Sequence, residues 1–413
     1  MSIFRANMVN YIGKLCLAPM VRSGELPNRL MALRHGADLV WSPELVDKKL
    51  IQVTRVVNNT INTIDFVTQE PHGPKVAFRT YPKEEKGKLI CQIGSSDPDL
   101  AVEAALKVIE DVDGVDLNCG CPKPFSTHSG MGAALLSTPD LLCSILTNLV
   151  EKVGKPHNKP ISCKIRLLNN LEDTRDLVDK ICSTGIANLT IHCRQRGMRN
   201  RQEPIWHYLA EIIPQIQSKG VSVIINGNLQ SRSDLAYLQE LFNNDQIGGM
   251  LAESAEANPT VFSEQPWTQD KAVEEFYTIA KEFGDIYAGS KFMMLNMIPG
   301  KSQYYRRIAQ SRTFEEMGVI IKEISEDKED KFIHKILNKD LQKQRCLTQE
   351  EFVEHMEKRK TVMEQLATKK HTVNDHEGEK RRNPDSNNSH IEKNKKGRFN
   401  DTNENASVSS VAV

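Results

Sequence analysis

The sequence predicts an α/β fold: a (β/α)8 TIM barrel, followed by a small all-α helical domain and a charged tail. Three observations point there. Eight short apolar, β-branched runs recur along the first two-thirds of the chain. Amphipathic stretches of helix length separate most of them, the pattern of parallel strands covered by helices. The span from residue 15 to residue 262 is about 250 residues, the usual size of such a barrel. A doubly wound open sheet is the alternative, but no G-x-G-x-x-G follows any run, which counts against its dinucleotide-binding form.

The candidate strands are LCLAPM (15–20), ADLVWSPE (37–44), LICQIG (89–94), GVDLNCG (114–120), PISCKIRL (160–167), NLTIHCR (188–194), VSVIING (221–227) and GGMLAE (248–253). Between the second and third, residues 45–88 carry the alternating runs IDFVTQ and VAFRTY, which predict an inserted hairpin and then a charged turn, PKEEKGK (82–88). A helix over 97–112 opens with Asp97 as N-cap and Pro98 in its first turn. Helices follow over 137–153, with Pro139 near the start, over 171–185, with Gly185 as a terminating glycine, and over 231–244, opening on Ser231. The barrel is assigned residues 12–262. Residues 263–345 lack strand-like runs and read as helices at 271–284, 291–298 and 314–324, a helical domain. From 346 to 413 apolar periodicity fades. The stretch 371–405 is too polar to offset chain entropy, so the tail is expected to be largely disordered.

Composition narrows the function classes. The 413 residues carry 54 Lys+Arg against 54 Asp+Glu, so the protein is not a globally basic nucleic-acid binder; such binding needs local patches. No run approaches the ~18 apolar residues of a membrane span, and no secretory leader is expected. The nine cysteines form no C-x-x-C pair, which argues against a zinc ribbon and leaves no metal site expected. Reduced thiols in a cytoplasmic protein are the reading.

A barrel of this kind builds its active site at the C-terminal strand ends. These ends offer Pro19, Met20 and Val21, then Glu44, Gln92, Asn118 to Cys121, Lys164 with Arg166, and His192 with Arg194. The last two are Asn226-Gly227-Asn228 and Ala252-Glu253-Ser254. Cys121 lies in a Gly- and Pro-rich loop, exposed enough to act as acid or nucleophile, or else a packing thiol. Gly130 and Gly132 mark either a turn or a phosphate cradle. Lys164, inside an apolar run, needs either an anionic cofactor or a neighbouring carboxylate. His192 is a catalyst or a hydrogen-bonded rim residue. The seventh and eighth tips occupy the usual phosphate position of such barrels, or form a plain loop. Arg194, Arg196, Arg199 and Arg201 make one basic cluster. Lys301, Arg306 and Arg307, interleaved with Tyr304 and Tyr305, make another, with aromatic rings suited to RNA stacking; solvated faces are the alternative.

The segments LAPMVRSGELPNRLMALRHGADLVWSPEL, CQIG, DLNCGCPKPFSTHSGMGAALL, SCKIRLL, TIHCR, INGN and NPTVF, in this order, resemble the tRNA dihydrouridine synthases, most of all the eukaryotic branch that modifies uridine 20 of the D-loop. The resemblance covers residues 12–340. It implies an FMN-binding barrel and a helical tRNA-binding domain, with NADPH or NADH as reductant and tRNA as partner. Reduced flavin would pass a hydride to C6 of the uracil, and Cys121 would protonate C5; Cys119 falls at a variable position. It implies that Pro19, Met20 and Val21 lie along the flavin ring and that Gln92, Lys164 and His192 contact the ring and ribityl chain. Asn226, Gly227, Asn228, Ala252 and Glu253 fall at the FMN phosphate positions, and Asn118 and Arg166 at uracil contacts.

Two departures stand out. The family usually has Arg where Glu253 stands, so Glu253 is expected to turn away while backbone N–H groups and Arg232 hold the phosphate. Animal relatives add a double-stranded-RNA-binding domain after the helices, of which no pattern is seen here. In the tail, Lys380-Arg381-Arg382 and then Lys393, Lys395 and Lys396 resemble a bipartite nuclear import signal, so nuclear entry beside a cytoplasmic pool is an expectation. The alternative functions are an FMN barrel acting on a small pyrimidine and a catalytically relic RNA-binding barrel.

Overall fold

The computed structural model describes residues 9–336 apart from residue 72, and scattered helical positions between 350 and 361. The expected tail from 362 onward, its basic clusters and Cys346 lie outside the described residues. All eight predicted strands are present: β1 (Leu15–Leu17), β2 (Leu39–Trp41), β3 (Leu89–Gly94), β4 (Gly114–Cys119), β5 (Ile161–Leu167), β6 (Asn188–Gln195), β7 (Ser222–Asn226) and β8 (Gly248–Leu251). Each pairs in parallel with its sequence neighbours, β8 pairs with β1, and β2 pairs with β3, so the sheet closes on itself. Closure leaves no sheet edge in the barrel.

Strand alternation sorts the side chains. Leu117, Cys119, Ile165, Leu167, Ile191 and Cys193 belong to the main core, under the outer helices. The residues between them face the lumen. At the floor of the lumen sit Tyr11, Cys16, Leu39, Trp41, Ile90, Ile224 and Met250, a small apolar plug. Toward the strand tips the inward positions turn polar: Gln92, Asp116, Asn118, Ser162, Lys164, Arg166, Thr190, His192, Arg194 and Asn226.

The helices α1 (Leu26–Arg34), α2 (Pro98–Val108), α3 (Pro139–Leu149), α4 (Leu171–Cys182), α5 (Leu209–Ser218), α6 (Arg232–Leu241) and α7 (Glu253–Ala257) follow the strands. The Asp97 side chain accepts from the Asp99 and Leu100 N–H groups, as an N-cap should, and Ser231 with Asp234 forms a capping box. The expected helix 171–185 stops at Cys182, three residues before Gly185, which has φ +89°. α1 and α5 had no place among the expected helices.

The insertion is a three-stranded antiparallel sheet, Thr54–Asn58, Thr63–Glu70 and Gly73–Thr80, one strand more than the predicted hairpin. The charged turn contains a short helix, Pro82–Glu85. A buried ion pair ties the insertion to α1: Arg29 Nε lies 2.6 Å from Glu85 Oε1, with both side chains at most 1% exposed. Arg29 also donates to the carbonyls of Gly24 (2.8 Å) and Arg79 (2.7 Å).

After the barrel come α8 (Gln269–Glu282), α9 (Tyr287–Met297), α10 (Gln303–Gln310) and α11 (Phe314–Glu326). Their core includes Leu26, Leu30 and Met31 of α1, so barrel and helices share one apolar seam and form a single compact unit. Among the described residues, no helix is long and apolar enough to cross a membrane.

Candidate active site

The lumen at the strand tips brings the predicted residues of β3 to β7 together. Gln92 is 2% exposed and donates to Asp116 Oδ2 at 2.8 Å; Ser162 donates to the other oxygen at 2.6 Å. Burial pushes the Asp116 carboxyl up to about 6. Lys164, the register partner of Asn118 on the next strand, donates from Nζ to Asn226 Oδ1 at 3.1 Å, and the Asn226 amide donates to the Met250 carbonyl at 2.9 Å. Burial, then the neighbouring Arg166, pulls Lys164 down to about 8. The carboxylate partner allowed for Lys164 on sequence grounds is not in ion-pair contact with it; Asp116 acts on it only at a distance.

Cys121 sits just past the β4 tip, on a loop fastened at several points. Asn118 Oδ1 accepts from the N–H groups of Gly120 (2.9 Å) and Cys121 (3.0 Å). Arg166 Nε donates to the Gly120 carbonyl at 2.8 Å. The Ala133 N–H donates to the Cys121 carbonyl at 2.9 Å. Gly132 has φ +59°, and a Cβ there would stand 2.6 Å from that same carbonyl oxygen. The Gly130-x-Gly132 pair is therefore the turn that sets the cysteine loop. Burial first, then the Glu44 carboxylate, raises the Cys121 thiol above its ordinary value, so it is protonated at neutral pH. That suits a proton donor and not a nucleophile. Asn118 and Arg166, expected at uracil contacts, spend part of their hydrogen bonding on holding this loop.

At the β6 and β7 tips, Arg194 Nη1 lies 3.2 Å from His192 Nε2. Arginine only donates, so Nε2 accepts and the neutral ring carries its proton on Nδ1. Burial, then Lys164, Arg166 and Arg194, hold His192 well below its usual range. Gly227 has φ +114°, and a Cβ there would meet His192 at 3.3 Å and Arg194 at 3.5 Å. Asn228, at φ +67°, accepts from Arg194 Nη2 at 3.4 Å. Ala252 precedes α7, where Ser254 keeps a buried hydroxyl with no partner among the described residues. Pro19 and Met20 are half-buried beside β1, and Val21 is 52% exposed at the rim.

Four expectations are corrected. Arg194 is no part of an RNA-facing patch: it is 3% exposed and donates to the carbonyls of Gln202 (2.7 Å) and Asn200 (2.8 Å). It lies on the same strand face as His192, beside Gly227 and Asn228, and of this cluster only Arg196, Arg199 and Arg201 stay exposed. Arg232 donates to the carbonyls of Phe262 (3.0 Å) and Gly36 (2.8 Å), so it braces α6 instead of meeting a phosphate. Arg307 pairs with Glu323, its Nη2 at 2.7 Å from Oε1, and loses its value as a free cation. Tyr304 is 4% exposed with its hydroxyl on Asp327 at 2.7 Å, so it cannot stack on RNA, whereas Lys301 and Arg306 remain exposed. The Glu253 carboxylate accepts from the Asn200 amide at 2.6 Å, and the Asn200 carbonyl in turn accepts from Arg194.

A flavin mononucleotide fits this donor set. The part-buried ammonium of Lys164 has no anionic partner among the described residues, His192 on β6 and Gln92 on β3 both lie at inward positions near the strand tips, and the absent Cβ of Gly227 leaves a cradle beside Arg194. Among the described residues, no group of three or more His, Cys, Asp or Glu is placed to hold a metal ion.

Two residues carry more of this site than their sequence surroundings suggested. Asp116 ties β3 to β5 across β4, and Glu44, only noted as a strand end, lies beside Cys121.

Comparison with known proteins agrees with this geometry. The dihydrouridine synthase (Dus) family model matches residues 38–345. The chain is 52% identical over 330 residues to the tRNA-dihydrouridine(20) synthase (NAD(P)+) of Saccharomyces cerevisiae, covering 78% of this chain and 86% of that one. It is 47% identical over 316 residues to the enzyme of the same name from Schizosaccharomyces pombe, covering 75% of this chain and 65% of that one. It is 28% identical over 274 residues to a human tRNA-dihydrouridine(20a/20b) synthase-like protein. A closed barrel with Cys121 and Lys164 at its strand-tip end, and a family match over most of the chain, lead to one conclusion: the chain belongs to the dihydrouridine synthase family.

Proposed function

We propose that this protein is an FMN-dependent tRNA-dihydrouridine synthase that reduces the C5–C6 bond of a D-loop uridine, at position 20, with NADPH or NADH as reductant. The observation that carries the reading is the convergence of Cys121 and Lys164 on one lumen, each held by partners from other strands. Bound FMN supplies the hydride for C6 of the uracil. Lys164 and His192 hold the cofactor, and the fixed ammonium offsets the negative charge of the reduced ring. Gly227, Asn228 and Arg194 hold its phosphate end. Cys121, kept protonated by burial and by Glu44, delivers its proton to C5. A stacked uracil cannot reach this lumen, so the nucleotide is flipped out of the RNA. The exposed Arg196, Arg199 and Arg201 beside the β6 tip, with Lys301 and Arg306 on the helical region, supply phosphate contacts for a tRNA.

That exposed arginine loop favours tRNA over a free pyrimidine, which needs no such surface. The presence of both Cys121 and Lys164 favours an enzyme over a relic RNA-binding barrel. We place the protein in the cytoplasm with access to the nucleus. The test is dihydrouridine mapping in tRNA from cells lacking the protein, complemented with wild type or Cys121→Ala. Loss at one D-loop position, restored by wild type alone, is expected; unchanged modification in the deletion would remove the assignment.

A further inference from the structure

We propose that Glu44 is a positioning residue that keeps Cys121 in its thiol form and returns a proton to it after each turnover. The turnover part rests on the reading above; the control of the thiol does not.

Glu44 is held between rigid pieces. It follows the β2 tip and precedes a two-residue strand, Leu45–Val46, that pairs with Ile93 and Gly94 at the end of β3. Its Oε1 accepts from the Ser126 hydroxyl at 3.3 Å. Ser126 is fully buried in the single helical turn after Cys121, and a Cβ at Gly132 would meet both the Ser126 hydroxyl and the Cys121 Cβ, so the Cys121 side chain lies next to the serine that donates to Glu44. Its Oε2 is buried without a hydrogen-bond partner among the described residues. A carboxyl group so placed is costly to leave unsatisfied, which argues for a use.

Two glycines, one ending β3 and one after the cysteine loop, clear space for this group. A Cβ at Gly94 would run into the Glu44 carboxylate, and a Cβ at Gly132 would run into the Ser126 hydroxyl. Glu44, Ser126 and Cys121 thus form one packed set. From β5, Lys164 and Arg166 face the thiol with positive charge, and Asn118 adds a neutral amide. Those two cations favour a thiolate. Glu44 is the opposing charge, and burial keeps its own carboxyl above the usual range.

The proton count closes. When Cys121 protonates C5, an S–H bond breaks, a C–H bond forms and a thiolate remains. The Glu44 carboxylate takes a proton from solvent at the rim and passes it on, so that O–H breaks, S–H is remade and Glu44 is a carboxylate again.

The test uses the full-length, flavin-loaded protein and iodoacetamide, with alkylation of the Cys121 peptide followed by mass spectrometry from pH 6 to 10. In Glu44→Gln the midpoint falls by about one pH unit, so alkylation at pH 8 rises about tenfold. Gly94→Ala, which keeps the charge but displaces it, moves the midpoint the same way. In single-turnover oxidation of the reduced protein by tRNA, the alkaline limb of Glu44→Gln moves down by the same amount, and Glu44→Asp restores part of it. Flavin content in every variant reports on folding. An alkylation midpoint unchanged or raised in Glu44→Gln overturns the proposal. If wild type fails to be oxidised by tRNA, the assigned function falls, while alkylation still decides the role of Glu44.

Discussion

Replacing Lys164 by methionine separates what this residue does for the cofactor from what it costs the fold. The ammonium has been pulled from an ordinary 10.5 to about 8, with burial as the first cause. At about 1.4 kcal/mol per unit, a lowering of that size corresponds to about 3 kcal/mol against the charged form. Partial solvent access to the side chain reduces the realistic figure to about 2 kcal/mol. A base with a lowered folded pKa carries this penalty in full below pH 8. The unfolded chain holds its proton more tightly, so stability from this group rises as pH passes from 8 toward 10.5. Lys164→Met, of similar volume, removes the penalty. The flavin-free variant is therefore expected to be more stable than flavin-free wild type by about 2 kcal/mol at pH 7, with the gap closing above pH 9. Urea denaturation of both proteins at pH 7 and pH 10 measures it. The same variant is expected to lose bound flavin, read by absorbance near ~450 nm. A flavin-free variant no more stable than wild type, or one retaining a full complement of flavin, would refute the reasoning.

Other predictions follow from single contacts. Gly132→Ala places a side chain on a left-handed residue against the Cys121 carbonyl; a loss of about 1–3 kcal/mol in denaturation is expected, with tRNA turnover falling more than flavin content. Glu85→Ala strands the buried Arg29 guanidinium; a cost of about 3–5 kcal/mol is expected by denaturant titration. Alanine at Arg196, Arg199 and Arg201 together is expected to weaken tRNA binding and to flatten its salt dependence by up to about one log–log unit per lost phosphate contact. Arg194→Gln is instead expected to reduce flavin retention, measured after gel filtration.

The barrel was legible because each strand carries an apolar face that must pack under helices: Leu117 and Cys119, Ile165 and Leu167, Ile191 and Cys193. The same alternation exposes the site, since Asn118, Lys164 and His192 break those runs at inward positions. What stayed hidden depends on partners distant in sequence. Asp116 gains its meaning from Gln92 and Ser162 on the two flanking strands, 24 and 46 residues away. Arg194 was grouped with its exposed neighbours because charges were counted along the chain; its two-residue offset from His192 was the signal that it points inward. Tyr304 and Arg307 were read as an RNA surface because the acidic groups that bind them, Asp327 and Glu323, lie on a later segment. The inserted strand Thr54–Asn58 has nearly every residue exposed, so no burial pattern marks it. α1 is buried on almost every side between the two cores and shows little polar–apolar contrast, and α5 carries Pro214 inside it.

The central claim is that one cysteine and one lysine, from adjacent strands, serve a single flavin-and-uracil site. Its most direct measurement pairs two readings on the same samples: bound flavin by absorbance, and dihydrouridine by mass spectrometry of tRNA after incubation with NADPH. The account predicts that Cys121→Ala keeps flavin at the wild-type level and forms no dihydrouridine. Product formation by Cys121→Ala at the wild-type rate would contradict it.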